Sequence, residues 1–132
     1  RPRALVYTRR PPAGALADAI ARAGLEVEWT DSGPAAIGEA VDRNLAVCFA
    51  GVGADGDEGL DYLPCLNQAD PALPLIIVAA RDSVETQRRL RSHRVFYYLV
   101  EPLDLAEVQA VIAAALRGRG CAPARRKAAL QA

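Results

Sequence analysis

Leu45-Ala46-Val47-Cys48-Phe49-Ala50 is an unbroken apolar run. A short run with no polar alternation is the mark of a strand covered on both faces, as in the middle of a parallel sheet. Leu75-Ile76-Ile77-Val78-Ala79-Ala80 repeats the pattern. Ala4-Leu5-Val6-Tyr7-Thr8 and Val95-Phe96-Tyr97-Tyr98-Leu99-Val100 also read as strands. Leu25-Glu26-Val27-Glu28-Trp29-Thr30 differs, because its apolar and polar residues alternate. That pattern predicts a half-covered or edge strand, with Trp29 lying over the sheet edge.

Helical signals separate these runs. Pro11-Pro12 can open a helix with an apolar stripe at Leu16, Ile20 and Ala23 and a stop at Gly24. Ser32 can cap a second helix, with Pro34 in its first turn, to about Arg43. Gly51 to Gly56 reads as a loop. A third helix is expected from about Glu58 to Asn67, kinked or delayed by Pro64. Asp82 with Glu85 resembles a capping box for a fourth helix reaching about His93. Asp104 with Glu107 caps the last helix, whose Leu105, Val108, Ile112 and Leu116 share one face.

Strand then helix, five times over, predicts a doubly wound α/β domain: a parallel sheet, right-handed crossovers and helices on both faces. Ligand and reaction sites in such folds lie at the carboxyl ends of the strands. Here those ends are Thr8-Arg9, Ala50-Gly51, Ala79-Ala80 and Val100-Glu101. The domain is expected over residues 1–118. Residues 119–132 carry no core pattern and read as a linker or C-terminal extension. With Arg117, that end is basic through Arg119, Arg125, Arg126 and Lys127. A charged helix end and linker is the favoured reading over nucleic-acid contact.

The chain has 132 residues, 52% hydrophobic, enough for one domain with a core of its own. Its formal net charge is zero, which excludes bulk attraction to nucleic acid or to a membrane surface. The three cysteines, Cys48, Cys65 and Cys121, form neither a paired framework nor a zinc spacing. A reducing compartment, the cytoplasm, fits them. No apolar run approaches a membrane span, and no leader pattern opens the sequence. The first residue is Arg1, as expected of a piece of a longer protein.

Several stretches together resemble the receiver domain of bacterial response regulators, over roughly residues 3–117. Pro74-Leu75-Ile76-Ile77-Val78-Ala79-Ala80 is similar to the family's fourth strand. Tyr98-Leu99-Val100-Glu101-Pro102-Leu103-Asp104-Leu105 resembles its aromatic-x-x-Lys-Pro-x-aspartate stretch, in which the bond before proline is typically cis; Pro102 is the cis-proline candidate. Glu58-Gly59-Leu60 resembles the acidic-Gly-apolar start of the third helix. The resemblance implies a CheY-like sheet in the order 2-1-3-4-5.

The resemblance also implies a chemistry that these residues do not supply. The family holds Mg²⁺ between an acidic pair ending the first strand and a phosphoacceptor Asp ending the third. Magnesium needs hard, anionic oxygen ligands. The first-strand slots here are Thr8 and Arg9. Counting back from Gly59 puts the acceptor slot at Gly51, and counting forward from Asn44 puts it at Phe49. Phe49, Ala50 and Gly51 all lack a carboxylate. The Ser/Thr slot of the fourth strand is Ala79, and the Lys slot is Glu101, a charge reversal that repels a phosphoryl group. What the resemblance then implies is a pseudo-receiver: no enzyme, no cofactor, no metal. It would act through a protein partner or a homodimer on the face of the fourth helix, fifth strand and last helix. Arg88, Arg91, Arg94, Tyr97 and Tyr98 are the candidate contacts, with one of the two tyrosines facing outward. Nucleic-acid binding is expected only through an attached output domain.

Two other readings compete. Asp55 or Asp57 could be a displaced phosphoacceptor, although acidic residues before a helix are ordinarily a solvated turn. Gly51-Val52-Gly53-Ala54-Asp55-Gly56 matches G-x-G-x-x-G, a nucleotide phosphate loop, but follows the third strand instead of the first. Asp70 has the ribose-binding spacing yet precedes the fourth strand. His93 has no metal-ligand pattern around it and reads as an exposed helix end.

Overall fold

The computed structural model describes residues 2–42, 44–53 and 58–118. Asp55, Asp57, Cys121 and the expected extension 119–132 lie outside the described residues. The elements run β1 (Arg3–Tyr7), α1 (Gly14–Arg22), β2 (Glu26–Thr30), α2 (Gly33–Val41), β3 (Leu45–Val52), α3 (Glu58–Asp61), α4 (Leu63–Ala69), β4 (Leu75–Ala79), α5 (Val84–Leu90), β5 (Tyr97–Val100) and α6 (Leu105–Gly118). The strands form one parallel sheet in the order β2-β1-β3-β4-β5. This is the doubly wound α/β architecture expected from the sequence.

The unbroken runs lie in the middle of the sheet because alternate residues feed two separate cores. Leu5, Tyr7, Cys48, Ala50, Leu75 and Ile77 pack with Leu60, Leu63, Leu66 and Leu90 on one face. Ala4, Val6, Val47, Phe49, Ile76 and Val78 pack with Leu16, Ile20, Val108 and Ile112 on the other. Burying each large aliphatic side chain contributes roughly 1.5–3 kcal/mol, so two continuous apolar layers dominate the stability.

Local signals set the element ends. Gly24 has φ +76°, its N–H bonds the Ala21 carbonyl at 3.0 Å, and the Leu25 N–H bonds the Ile20 carbonyl at 3.3 Å. This pair of bonds is the Schellman stop that the glycine promised. Ser32 caps α2 by accepting from the Ala35 N–H, and Asp104 caps α6 by accepting from the Glu107 N–H at 2.9 Å.

Several boundaries differ from the sequence reading. α1 begins at Gly14, with Ala13 extended at the N-cap position, so Pro11 and Pro12 lie ahead of the helix and not in its first turn. β3 continues through Gly51 and Val52, which find ladder partners in Val78 and Ala79. The expected 51–56 loop is therefore strand at its first two residues. The third helix breaks at Tyr62 into α3 and α4, with Pro64 in the first turn of α4. α5 ends at Leu90 and is capped by Ser83, whose hydroxyl accepts from the Thr86 N–H at 3.2 Å. Asp82 is instead held by the Gln87 side-chain amide at 2.6 Å. β5 begins at Tyr97, although Phe96 still donates its N–H to the Leu75 carbonyl.

Close packing makes one glycine obligatory. A Cβ on Gly59 would collide with the Gly51 carbonyl oxygen, so α3 can approach the end of β3 only without a side chain there. Gly38, inside α2, has open space around it. Gly59→Ala should destabilise the fold by about 2 kcal/mol or more, because backbone must shift. Gly38→Ala should stabilise it by roughly 0.5–1 kcal/mol. Urea denaturation of both variants checks the opposite signs.

Candidate functional site at the carboxyl rim of the sheet

β1 and β3 are neighbours, and their carboxyl ends bring Thr8 beside Gly51. A Cβ on Gly51 would meet Thr8 Cγ2 at 3.0 Å. Of the two slots open from sequence counting, Gly51 is thus the one at the rim next to Thr8. Phe49 lies opposite Val6 in the ladder and is wholly buried in the α1–α6 core, and Ala50 is buried opposite Tyr7.

The Thr8 side chain is committed locally. Its hydroxyl donates to the Arg10 carbonyl at 2.5 Å and accepts from the Trp29 indole N–H at 3.2 Å. That indole N–H also reaches the Thr8 carbonyl at 3.2 Å. Arg9 is exposed on the outgoing loop, and Ala79 is buried at the end of β4. Glu101 is exposed just past β5, and its peptide bond to Pro102 is cis. A cleft of about 410 Å³ opens beside it, lined by Ala13, Leu16, Ala80, Glu101, Pro102 and Leu103. Glu101 supplies the charge in that lining.

The described residues of this rim do not fit magnesium. Thr8 and Gly51 bring no anionic oxygen, Arg9 is cationic, and the nearest slots on β4 and β5 are a methyl group and a single carboxylate. Among the described residues, no three His, Cys, Asp or Glu side chains gather to hold a metal ion. The glycine motif fares no better as a phosphate loop, since Gly51 and Val52 pair within the sheet. Asp70 closes a turn after α4, accepting from the Ala72 N–H at 3.2 Å.

The second group of expected residues lies on the face of α5, β5 and α6. The two tyrosines alternate across β5, and both are half-buried; neither faces fully outward, because an edge strand is only partly covered on either side. Tyr97 packs toward α6 and its hydroxyl lies 3.4 Å from Glu107 Oε2. Tyr98 packs on the other face and donates to Asp82 Oδ1 at 3.2 Å. Burial raises both phenol pKa values; the Glu107 carboxylate adds to this at Tyr97 and Asp82 at Tyr98. Arg88 and Arg91 are exposed, with Arg88 3.5 Å from Glu85. Arg94 is committed to α4. Its guanidinium donates to the Asn67 carbonyl at 3.2 Å, while its N–H and carbonyl both bond the Asn67 side chain. The Asn67–Arg94 clamp, which joins α4 to the approach of β5, has no signature in the sequence. His93 is half-buried, and burial lowers its pKa, with Arg89 adding to the effect. Cys48 is fully buried, which pushes its thiol up to about 12, whereas Cys65 is exposed.

Solved structures that share this fold include receiver domains. The isolated receiver domain of nitrogen regulatory protein C, in its apo form, superposes over 90% of this chain and 97% of its own, at a TM-score of 0.73 and 23% identity. A response regulator from Thermotoga maritima superposes over 88% of this chain and 98% of its own, at a TM-score of 0.74 and 15% identity. In sequence, the response regulator protein PmrA of Pseudomonas aeruginosa is 33% identical over 107 residues, covering 77% of this chain and 48% of PmrA. The chain has the fold of response-regulator receiver domains. The DNA-binding transcriptional regulator NtrC of Azospirillum brasilense is 29% identical to this chain over 101 residues, which is 76% of this chain and 21% of NtrC. The chain thus spans less than half the length of the curated relatives it matches. No family model matches the chain. No helix among the described residues is long and apolar enough to cross a membrane.

The Tyr98–Asp82 contact makes a direct prediction. Asp82→Asn removes a negative charge beside the phenol, so the Tyr98 pKa should fall toward its ordinary value of 10.0 while that of Tyr97 stays put. Following the two ring carbons that bear the hydroxyls by NMR across alkaline pH checks it.

Proposed function

We propose that this domain is a pseudo-receiver: a non-enzymatic, cytoplasmic regulatory module that transmits through protein contacts without being phosphorylated. The observation that carries the reading is the chemical identity of the rim. Thr8 stands beside Gly51, Arg9 follows, Ala79 ends β4, and Glu101 replaces a lysine. A phosphoryl group arriving there would meet no nucleophile at position 51 and a carboxylate at position 101, which repels it. Two unfavourable changes of charge, at Arg9 for the cation and Glu101 for the anion, act against both partners of the reaction.

Contact surfaces support an interaction role. On α5, Val84 is 72% exposed and Arg88 is exposed, as is Arg91 just beyond it, while Tyr97 and Tyr98 of β5 are half-buried. Aromatic and Arg side chains around an exposed apolar residue are the composition of interface centres. Arg94 drops out of that set because Asn67 holds it. A protein partner, a second receiver or an attached output domain fits this face. Any nucleic-acid contact would belong to such an output domain.

Incubation with a small-molecule phosphodonor and Mg²⁺ should leave the intact mass unchanged. A stable gain of one phosphoryl group would overturn the proposal, and its loss in Asp55→Asn or Asp57→Asn would identify a displaced acceptor.

A further inference from the structure

The opposite edge of the sheet carries a feature that the receiver reading leaves unused. β2 is an outer strand with no neighbour on its far side among the described residues. The Glu26 N–H bonds the Pro2 carbonyl at 2.9 Å, and the Thr30 carbonyl accepts from the Thr8 N–H at 3.2 Å. In a parallel ladder the same alternate residues turn both groups inward, so residues 26, 28 and 30 face β1. The N–H and C=O groups of Val27 and Trp29 therefore point outward. These same two residues are the exposed large hydrophobics of the strand, at 45% and 38%. Natural edge strands are usually blunted by Pro, Lys or a bulge. β2 has none of these in Glu26-Val27-Glu28-Trp29-Thr30, and the charges it does carry, Glu26 and Glu28, are both acidic, so they deter a like-charged strand and favour a basic one.

The Trp29 ring is also fixed in place. Its indole N–H is satisfied by Thr8, so what it offers to solvent is apolar. On the other face of the same strand stand Glu26 and Glu28, with Glu39 of α2 beside Glu28. Arg3 bonds Glu28 at 2.7 Å and Glu39 at 3.0 Å, yet these carboxylate side chains remain 46% and 34% exposed. Among the described residues of that face, the carboxylates of Glu26, Glu28 and Glu39 stand against the Arg3 guanidinium, leaving it acidic.

From this edge we infer a docking site for an extended, partner-borne segment in which basic and apolar residues alternate. Added as a further strand, such a segment takes up the outward groups of Val27 and Trp29. Its apolar residues then cover the Val27–Trp29 face, and its Lys or Arg residues meet Glu26, Glu28 and Glu39. Strand addition of this kind draws affinity from main-chain bonds and selectivity from alternate side chains. A second copy of this chain fits worse. Antiparallel self-pairing of the outward residues sets Glu28 against Glu28 and doubles the acidic face.

Trp29 is the only tryptophan in the chain, so its emission reports the site directly. The probe is a capped peptide of alternating valine and lysine. Two controls accompany it: the same peptide with glutamate for lysine, and one with alternate backbone nitrogens methylated. The valine–lysine peptide should give a saturable blue shift that weakens with salt, and both controls should bind at least about tenfold more weakly. Amide exchange at Val27 and Trp29 should slow on binding. Val27→Lys should lose the shift while its own Trp29 emission and melting temperature stay close to the parent's. No saturable shift, or equal shifts from all three peptides, would overturn the inference. A shift that appears with protein concentration in the absence of peptide would also overturn it, in favour of self-association.

Discussion

A parallel sheet covered on both faces leaves its polar chemistry only the carboxyl ends of the strands. The proposed function follows from what occupies that rim. The two buried layers around Leu5, Cys48, Ile77 and around Val6, Phe49, Ile76 hold no charge, so they fix the strands without contributing reactive groups. At the rim itself, Thr8 lies so close to Gly51 that any side chain placed there presses against its methyl group. The Thr8 hydroxyl is already engaged by Arg10 and Trp29. The place where the resemblance would put a metal and a nucleophile is filled by a neutral contact instead.

Much of the fold was legible because its signals are local. Unbroken apolar runs mark β3 and β4, alternation marks β2 as an edge, and Gly24, Ser32 and Asp104 mark helix ends. Errors arose where two neighbouring residues compete for one role. Asp82 and Ser83 both precede α5, and the shorter side chain took the cap while Asp82 went to Gln87 and Tyr98. The length of β3 was underestimated because glycine reads as a turn former, whereas the pairing of Gly51 with Val78 is set by β4.

Recognition of the rim needed only residue identities, but its geometry needed the ladder. Counting from either side of a glycine-rich stretch gives two positions for one slot. The register of β3 against β1 buries Phe49 and leaves Gly51 beside Thr8. The Asn67–Arg94 clamp and the Arg3 bridge between Glu28 and Glu39 join residues far apart in the chain, so no spacing could announce them. Each takes a charged residue out of a contact surface or fixes it at one. The two sheet edges consequently differ: β5 is screened by Tyr97 and Tyr98, whose hydroxyls lie against Glu107 and Asp82, while β2 shows solvent the apolar faces of Val27 and Trp29.

The proposed function requires a rim that holds neither a divalent cation nor a phosphoryl group. Beryllofluoride with Mg²⁺ imitates both at once when a carboxylate stands between suitable ligands. Fluorine and amide NMR in its presence measures occupancy directly. The expected result is no new bound fluorine resonance and unmoved amides at Thr8, Gly51, Ala79 and Glu101. A bound fluorine signal with saturable shifts at those four amides would contradict it.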